Sequence, residues 1–337
     1  MMKVTMSDIA REARTSVATV GRVIHNNGYV SGDVRERIER AIQALGYVPN
    51  QSARILKSAR SGVIGCLVVE SMNGLYYRIN DSVIRSARER GYTCVTMEAQ
   101  KRSGSEAELL RGMIGMRVDG IVIISNTRIT PDMFGLLRRF ETPVVAIERG
   151  YPEQGIDSLL VQNREAVGDA VRRIAAKGHR RIALIAREVV HAVEARRLQG
   201  YLDALADSGL PADDSLIRLA EHYTASDGRA AMETLLSLPE PPTAVMATAD
   251  TLAAGALQSA YAQGLRVPEG LSVVGYDDVL SEYLSPQIDS VGLVLDDVGD
   301  ATMDLLEKRR EDMSRPAECR PILTRYVDRG TVRTLIE

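Results

Sequence analysis

Three short runs with helical spacing follow one another in the first 46 residues, and they restrict the start of the chain to a small helical bundle. The first run begins at Ser7, a capping residue with an acid beside it, and the second begins after another capping residue, Ser16. The third covers residues 33–45 and is followed by Gly46, a residue type that commonly ends a helix. Because the apolar residues of the second and third runs fall on one face, the spacing predicts three helices around a miniature core.

The second predicted helix presents a face of small residues around one arginine. That face consists of Val17, Ala18, Gly21 and Arg22. Small residues let a helix lie close to a flat partner, and the major groove of DNA is such a surface, where an arginine can hold guanine through two hydrogen bonds. A tight turn before such a helix is the helix-turn-helix arrangement. The pattern therefore predicts that the second helix reads DNA.

The charge of the chain is divided between its two ends. Residues 1–60 contain ten Lys and Arg against five Asp and Glu, a net charge of +5, whereas the whole chain carries −3. The remaining 277 residues therefore carry −8. A basic head on an acidic body places the polyanion-binding surface at one end, and phosphate contacts from such a head make DNA affinity fall as salt rises.

The order of residues in this head resembles the lactose-repressor and galactose-repressor family of bacterial transcription regulators. The matching strings are Ser16-Val17-Ala18-Thr19-Val20-x-Arg22-Val23-Ile24, Gly28-Tyr29-Val30-Ser31 and Leu45-Gly46-Tyr47-x-Pro49-Asn50-x-x-Ala53-Arg54-x-Leu56-Lys57. The resemblance implies that a homodimer binds a palindromic double-stranded DNA operator. It assigns DNA contacts in the head to Ser16, Val17, Ala18, Thr19 and Arg22. Gly21 replaces the serine usual in the family, at a cost of about 1 kcal/mol in helix propensity.

Residues 49–58 are predicted to link DNA reading to the rest of the chain. Pro49 can start a helix, but the segment after it is too short to be stable alone in water. The resemblance implies a hinge helix that pairs with its two-fold mate in the minor groove and wedges Leu56 between base pairs. The residues that it assigns to DNA contact here are Asn50, Ala53, Leu56 and Lys57.

Beyond Arg60, short apolar runs alternate with amphipathic stretches, which is typical of parallel sheets covered by helices on both faces. Strands are predicted at 63–69, 92–97, 120–124, 144–147, 182–185, 216–219, 244–247 and 272–276. Helices are predicted at 76–90, 104–116, 164–177, 195–208, 227–238 and 251–263. The expected fold class is α/β, with a helix-turn-helix head, a hinge helix and a bilobed body of two doubly wound parallel-sheet lobes. The resemblance likens that body to the periplasmic sugar-binding proteins.

The expected boundaries follow from this organisation. The head is placed at residues 1–48 and the hinge at 49–61. The N-terminal lobe is expected at 62–162 plus about 292–322, and the C-terminal lobe at 163–291 plus about 323–337. In open parallel sheets, ligands bind beyond the carboxyl ends of the strands, so two facing lobes are expected to share one cleft. The residues that come just after strands are 73–76, Ser125, Asn126, Glu148, Arg149, 187–197, Tyr223, Ala249, Asp250 and Asp277.

Strings in the body also resemble the family. They include Ile147-Glu148-Arg149, Arg197-Leu198-x-Gly200-Tyr201 and Ser272-Val273-Val274-Gly275-Tyr276-Asp277-Asp278. The resemblance implies that Arg197 and Asp277 contact a small-molecule effector, most simply a carbohydrate, whose vicinal hydroxyls suit a guanidinium and a carboxylate. The expected effector residues are Leu75, Tyr76, Asn126, Arg149, Arg197, Tyr223, Asp250 and Asp277. The family usually has Asn-Asp where this chain has Ala249-Asp250, so one polar contact is expected to be missing.

Several alternatives stay open at this point. A nucleobase or a phosphorylated metabolite would suit Arg197 and Asp277 as well as a sugar, and without a ligand the two residues would form a structural salt bridge. Tyr76 and Tyr223 could stack on a sugar ring or could be ordinary core residues. A solute-binding protein for transport would share the bilobed body, but it would need an export signal and would have no DNA-reading head.

Other classes of protein are not expected. The chain has no Gly-rich phosphate loop, no Gly-x-Ser-x-Gly elbow and no metal-ligand pattern among its four histidines and three cysteines. Neither an enzyme nor a cofactor is therefore predicted. The widely spaced cysteines suit a reducing compartment, and no apolar stretch reaches the length of a signal peptide or a membrane span. The sequence predicts a cytoplasmic protein that does not enter the membrane.

Overall fold

The computed structural model describes residues 4–24, 27–47, 60–69, 74–99, 106–125, 128–189 and 192–335. The chain divides into two compact units, Met1–Ser61 and Gly62–Glu337. The first unit is a helical bundle, and the second is an α/β body.

Within its described residues, the first unit contains three helices, α1 (Met6–Glu12), α2 (Val17–Ile24) and α3 (Gly32–Leu45). Ile9, Val20 and Ile38, one from each helix, are fully buried at the centre of its core. The apolar faces seen in the sequence point inward because only there can they be removed from water. The three predicted helices are confirmed.

The start of α1 is not where the sequence places it. The N-cap is Thr5 rather than Ser7, because Thr5 Oγ1 accepts from the backbone N–H of Asp8 at 3.4 Å while Asp8 Oδ2 accepts from the Thr5 N–H at 2.9 Å. This reciprocal capping box satisfies two backbone donors at once. At α2, the predicted cap is confirmed, since the Ser16 hydroxyl accepts from a backbone N–H three residues on at 3.1 Å. Helix α3 ends as predicted at Gly46, whose φ of 62° lies in the left-handed region.

The predicted hinge helix lies outside the described residues, and so do its expected DNA contacts Asn50, Ala53, Leu56 and Lys57. Arg60 and Ser61, the described end of the predicted hinge, have no regular secondary structure. The hinge helix therefore stays a prediction from the sequence.

The second unit contains two six-stranded sheets. The strands of the first sheet are β1 (Val63–Val69), β2 (Thr93–Ala99), β3 (Gly120–Ile124), β4 (Val144–Ile147), β5 (Asp157–Val161) and β11 (Cys319–Ile322). The strands of the second sheet are β6 (Ile182–Arg187), β7 (Ile217–Ala220), β8 (Ala244–Ala247), β9 (Ser272–Asp277), β10 (Asp289–Leu293) and β12 (Thr324–Val327). Their orders are β11-β5-β4-β3-β1-β2 and β12-β10-β9-β8-β6-β7. Neighbouring strands are parallel except for the antiparallel pair β10 and β12.

Helices cover both faces of each sheet. Those of the first lobe are α4 (Gly74–Glu89), α5 (Glu106–Gly115), α6 (Pro131–Arg139) and α11 (Val298–Glu311). Those of the second lobe are α7 (Asn163–Ala176), α8 (Ala192–Asp207), α9 (Ala225–Leu236) and α10 (Asp250–Ala262). Each sheet therefore lies between two buried apolar clusters. The predicted α/β fold with two parallel-sheet lobes is confirmed.

The chain passes between the two sheets three times. It does so after Val161, after Leu293 and between Ile322 and Thr324. Between the second and third passages it forms α11, which packs into the core of the first lobe together with α4. The two lobes are thus joined by three connecting segments. Such a connection lets the lobes change their relative angle as rigid bodies.

The sequence periodicity misses four strands, β5, β10, β11 and β12, and two helices, α6 and α11. Strands β5 and β10 begin with buried polar pairs, Asp157-Ser158 and Asp289-Ser290, which break an apolar run. Strands β11 and β12 are four-residue edge strands that are largely accessible to water. Neither kind of strand carries the continuous apolar signal of a central parallel strand.

Candidate effector site and DNA-reading helix

Arg197 lies at the centre of a buried polar cluster in the second lobe. It is carried by α8. Because Gly200 has no side chain, α8 can lie close to α7; a side chain at this position would collide with the backbone carbonyl of Arg164. Arg197 Nε donates to Asn163 Oδ1 at 2.7 Å, and Nη1 donates to the Thr248 carbonyl at 2.7 Å. Segments that are distant in sequence therefore fix the guanidinium in one orientation.

Tyr276, in β9, packs the face of its ring against the same guanidinium. The centroid of its ring lies 4.0 Å from Arg197 Cζ, and its hydroxyl donates to Asn163 Oδ1 at 2.9 Å. Asn163 in turn donates from Nδ2 to the Val161 carbonyl at 3.3 Å. Because these partners are buried and bonded to one another, Arg197 is positioned by the protein before any ligand contact.

Asp277, the last residue of β9, pairs with Arg197. Its Oδ1 lies 3.8 Å from Arg197 Nη2, an ion pair without a hydrogen bond, and it accepts no hydrogen bond from any described residue. Burial raises the pKa of Asp277 to about 7; Arg197 opposes this rise, and Asp250 and Glu148 add to it. The φ of Asp277 is 92°, a strained conformation that non-glycine residues adopt mainly at ligand and active sites.

Glu148 brings a second acid to the cluster from the first lobe. It follows β4, is buried and has a φ of 81°. Its Oε1 accepts no hydrogen bond from the described part of the chain. Burial raises the pKa of Glu148; the charge of Arg197 lowers it and that of Glu194 raises it further. Arg197 and Glu194 belong to the second lobe, so charges of that lobe act on a buried acid of the first.

Glu194 is the third buried acid, one turn before Arg197 on α8. Its Oε1 lies 3.7 Å from Arg187 Nη1 and accepts from the Tyr223 hydroxyl at 3.4 Å. The Arg187 guanidinium lies 5.5 Å from the centroid of the Tyr223 ring and also donates to the Glu221 carbonyl. The Tyr223 side chain is half-buried and lies beside these charged groups.

A second contact between the lobes lies next to Asp277. Arg78 Nη1, on α4 of the first lobe, donates to the carbonyl of Asp278 at 2.8 Å. Val279 packs against the apolar core of the first lobe, and a side chain at Gly74 would collide with it. The turn that follows the Asp277 carboxylate is thus in direct contact with the other lobe.

Asp250 is placed differently from the expectation that it contacts the effector. Its Oδ2 accepts from the backbone N–H groups of Val279 at 2.7 Å and Leu280 at 2.9 Å, and its Oδ1 accepts from the hydroxyls of Ser281 and Ser290 at 2.7 Å and 2.8 Å. Both oxygens are thereby engaged within the protein. We assign Asp250 to holding the turn after Asp277 rather than to ligand contact, because further acceptance would require these bonds to be broken.

The remaining expected effector residues are spread over the first lobe. Leu75 and Tyr76 are buried in its apolar core on α4. Arg149 is half-buried, with its guanidinium 5.9 Å from the centroid of the Tyr151 ring. Asn126 lies outside the described residues. Of the expected set, the structure therefore brings Arg197, Tyr223 and Asp277 together at one place.

The cluster contains both hydrogen-bond acceptors and hydrogen-bond donors for a polar ligand. Glu148 Oε1, Thr248 Oγ1 and Asp277 Oδ1 are buried oxygens that have no hydrogen-bond partner among the described residues. Such oxygens are rare in folded proteins because burial without a partner is costly. The guanidiniums of Arg187 and Arg197 offer donors. A ligand with several hydroxyl groups could satisfy both kinds at once.

In the first unit, α2 exposes the face that the sequence predicts to read DNA. Ser16, Val17, Ala18 and Arg22 are exposed, and Thr19 is half-buried. The hydroxyls of Ser16 and Thr19 lie 2.8 Å apart at the start of the helix. An arginine between small residues on an exposed helix face retains its freedom to reach a base edge.

Comparison with known proteins supports both the helical unit at the start of the chain and the α/β body. Residues 61–307 match the family model of periplasmic binding proteins and sugar binding domain of the LacI family, and residues 5–50 match that of bacterial regulatory proteins, lacI family. The chain is 33% identical over 309 residues to catabolite control protein A of Priestia megaterium, covering 91% of this chain and 92% of the relative. It is 30% identical over 332 residues to the transcriptional repressor CytR of Escherichia coli, covering 98% and 97%.

Two solved structures extend the comparison. The complex of the transcriptional regulator CelR with cellobiose is 32% identical, with a TM-score of 0.71, and the match covers 98% of this chain and all of that one. The lac repressor dimer bound to operator and the anti-inducer ONPF has a TM-score of 0.83 at 24% identity, again over 98% of this chain and all of the other. The second comparison supports the fold alone.

The chain therefore belongs to the LacI family of bacterial regulatory proteins. It is a DNA-binding transcriptional regulator whose activity is modulated by a small-molecule effector, and it is not an enzyme. The predicted family and regulatory function are thereby confirmed. None of the helices in the described segments has the length and apolarity to cross a bilayer.

Proposed function

We propose that the chain represses genes for the uptake or breakdown of a carbohydrate, and that this carbohydrate is the effector bound beside Arg197. The observation that carries the proposal is the pair of buried oxygens, Glu148 Oε1 and Asp277 Oδ1, that lack partners among the described residues near a fixed guanidinium. Sugar hydroxyls donate to carboxylates and accept from guanidiniums, so one ring can meet both needs. The Tyr223 ring would pack against the sugar face.

Relatives support the same class of effector. The ribose operon repressor of Escherichia coli is 32% identical over 307 residues, and the CelR complex contains cellobiose. A phosphorylated metabolite suits the site less well than a neutral sugar because its negative charge would further disfavour the ionised forms of the buried acids Glu148 and Asp277. The sequence leaves a nucleobase and a phosphorylated metabolite open as alternatives to a carbohydrate. Of these two, the phosphorylated metabolite is therefore disfavoured.

The DNA-bound form in this proposal is a homodimer on a palindromic operator in the cytoplasm. Ser16, Val17, Ala18, Thr19 and Arg22 read the major groove, and the hinge at 49–61 reaches the minor groove. Tyr77 and Tyr283 are 70% and 77% exposed, one from each lobe. Tyrosine is a residue type that is enriched at contacts between subunits. A change of lobe angle on effector binding would then alter the hinge spacing, with a coupling of about 1 to 3 kcal/mol.

A screen of sugars by melting temperature tests the proposal. The stabilising sugar should also release the chain from an operator obtained by selection from random palindromic oligonucleotides. Asp277→Asn should abolish the thermal shift, whereas Asp81→Asn, a change at an exposed residue of α4, should retain it. If only non-carbohydrate metabolites shift the melting temperature and release the operator, the carbohydrate assignment is wrong.

A further inference from the structure

The chain enters the body at one edge of the first sheet, where four adjacent strands begin. Gly62, directly before β1, donates from its backbone N–H to Asp119 Oδ2 at 2.9 Å, and its carbonyl accepts from the backbone N–H of Thr93 at 2.8 Å. Asp119 lies directly before β3, and Thr93 is the first residue of β2. In the next pair of strands, Ile121 of β3 is in register with Val144 of β4. The turns that lead into β1, β2, β3 and β4 therefore meet at a single edge.

Arginines are concentrated at this edge. Helices α4, α5 and α6 end shortly before β2, β3 and β4, so the last residues of each helix and the turn after it line the edge. The half-buried Asp119 and Arg90 are bonded within the body. The exposed charged residues of 60–62, 88–92, 116–119 and 138–143 are five arginines, Arg60, Arg88, Arg117, Arg138 and Arg139, and two acids, Glu89 and Glu141.

The basic part of the edge is bounded by acids on one side. Beyond β4, the next strands of the sheet are β5 and β11. The segments that lead into these two strands expose Glu153, Glu311 and Asp312 against Lys308. The 277 residues after Arg60 together carry a charge of −8. The excess of arginine is thus a local feature of the part of the edge where the chain enters the body.

Three of these arginines have no acidic partner. Among the described residues, none forms an ion pair with Arg117, Arg138 or Arg139. Arg139 lies over the exposed ring of Phe140, with its Cζ 5.8 Å from the ring centroid. Arg117 has a φ of 55°, in the left-handed region that favours glycine. The chain therefore keeps a charged side chain at a position where glycine would be less strained, and its guanidinium is left to interact with another molecule.

The chemistry of these groups matches the backbone of DNA. The guanidinium donates two parallel hydrogen bonds to a phosphate, and a duplex offers one negative charge for about every 1.7 Å of its axis. The residues directly before this edge are the predicted hinge at 49–61, which links the body to the DNA-reading head. Even fully extended, a linker of this length spans no more than about 45 Å. The linker therefore keeps the edge within reach of the duplex that the head binds.

We propose that Arg117, Arg138 and Arg139, the arginine edge, bind phosphates of the same DNA duplex that the head reads. The body then contributes directly to DNA affinity, and this contribution is independent of base sequence because phosphates are the same in every duplex. Recognition of the operator sequence remains with the head. The inference rests on DNA binding by the head and does not depend on the class of effector.

The salt dependence of DNA binding by the full chain tests the proposal. The probe is a labelled operator duplex selected from random palindromic oligonucleotides, and a duplex of random sequence and equal length is measured beside it by fluorescence anisotropy. In the triple variant Arg117→Gln, Arg138→Gln and Arg139→Gln, the slope of log affinity against log salt should become shallower by about 2 to 3. The ratio of natural to variant affinity should then shrink about 10- to 40-fold between about 50 and 200 mM KCl.

Two further variants serve as controls. Replacement of the same three arginines by lysine keeps their charge and should leave the slope close to that of the natural protein. A second triple variant removes the same total charge from exposed positions of the other lobe and should leave the slope unchanged; its substitutions are Arg180→Gln, Arg266→Gln and Arg325→Gln. All of the replaced side chains are exposed, so the variants are expected to fold, and their melting temperatures check this.

The proposal is supported if the glutamine variant of the arginine edge loses slope and affinity on both duplexes while the second-lobe variant does not. An unchanged slope for the arginine-edge variant would overturn it, and the edge would then be a candidate surface for an acidic protein. An equal loss in both triple variants would also overturn it, because the effect would then come from the net charge of the body. A loss confined to the operator would contradict contact with phosphates, since these are shared by both duplexes.

Discussion

The Asp277 carboxyl provides a direct test of how the effector site is built, because its ionisation opposes folding. The substitution Asp277→Asn keeps the shape of the side chain and removes the charge. In the folded protein, burial raises the pKa of Asp277 from 3.8 to about 7. A group whose pKa is raised on folding is protonated more readily in the folded state, so its ionisation destabilises that state.

The sign and size of the effect follow from this shift. Below pH 3.8 the carboxyl is neutral in both states, and the substitution should change the free energy of unfolding little. As pH rises through about 7, the folded state of the natural protein must accept a buried charge. A rise from 3.8 to about 7 corresponds to about 4 kcal/mol, at about 1.4 kcal/mol for each pKa unit. The Asn variant should therefore gain on the order of 4 kcal/mol over the natural protein at pH 8 and much less at pH 4.5.

Urea unfolding followed by far-UV circular dichroism, at pH 4.5, 6 and 8, measures this difference. Asp81→Asn, at an exposed position of α4, serves as the control. Its free energy of unfolding should differ from that of the natural protein by the same amount at every pH. A variant at position 277 that is less stable than the natural protein at pH 8, or a difference that does not change with pH, would refute the reasoning. The first result would mean that the ion pair with Arg197, at 3.8 Å, outweighs the cost of burial.

Three further predictions concern the head, the hinge and the turn behind the site. Arg22→Ala should lower operator affinity by about 1 to 3 kcal/mol in gel-shift titrations while keeping weak binding to random DNA; equal loss on both would exclude Arg22 as a base reader. Leu56→Ala should reduce the bending of operator DNA measured by fluorescence energy transfer between its ends, and unchanged bending would reject the wedge. Asp250→Asn places an amide where backbone N–H groups need acceptors, and it should lower the free energy of unfolding by about 2 to 4 kcal/mol without shifting effector specificity. An unfolding free energy equal to that of the natural protein would contradict the assigned role of this carboxylate.

The proximity of the site to the lobe contact suggests how effector binding reaches the rest of the body. Asp277 and Asp278 both have positive φ, at 92° and 52°. The carbonyl of Asp278 accepts from Arg78 of the first lobe, and Val279 packs into the core of that lobe. A ligand that moves the Asp277 carboxylate therefore acts on a strained turn that already contacts the other lobe.

The positions of the helices and central strands could be predicted from the sequence because their signal is local. Helical spacing in the head and the apolar runs of β1, β3, β4 and β8 each identify an element without knowledge of its neighbours. The family strings predict Arg197 and Asp277 as effector residues, and the structure places their side chains 3.8 Å apart. Where the cap of α1 was misplaced, the deciding bond joins Thr5 to Asp8, a pairing that competes with an equally plausible serine.

Charge and periodicity along the chain thus determined that this regulator has a head and a body, and that the head is basic. They also indicated that a ligand belongs at the carboxyl ends of the strands. They did not distinguish Asp250 from Asp277, since both follow strands. Only the tertiary structure decided that Asp250 is enclosed by donors from Val279, Leu280, Ser281 and Ser290, whereas Asp277 and Glu148 keep oxygens without partners among the described residues. The physical reason is that desolvation and hydrogen-bond partners come from segments brought together by folding, and a residue type reveals neither.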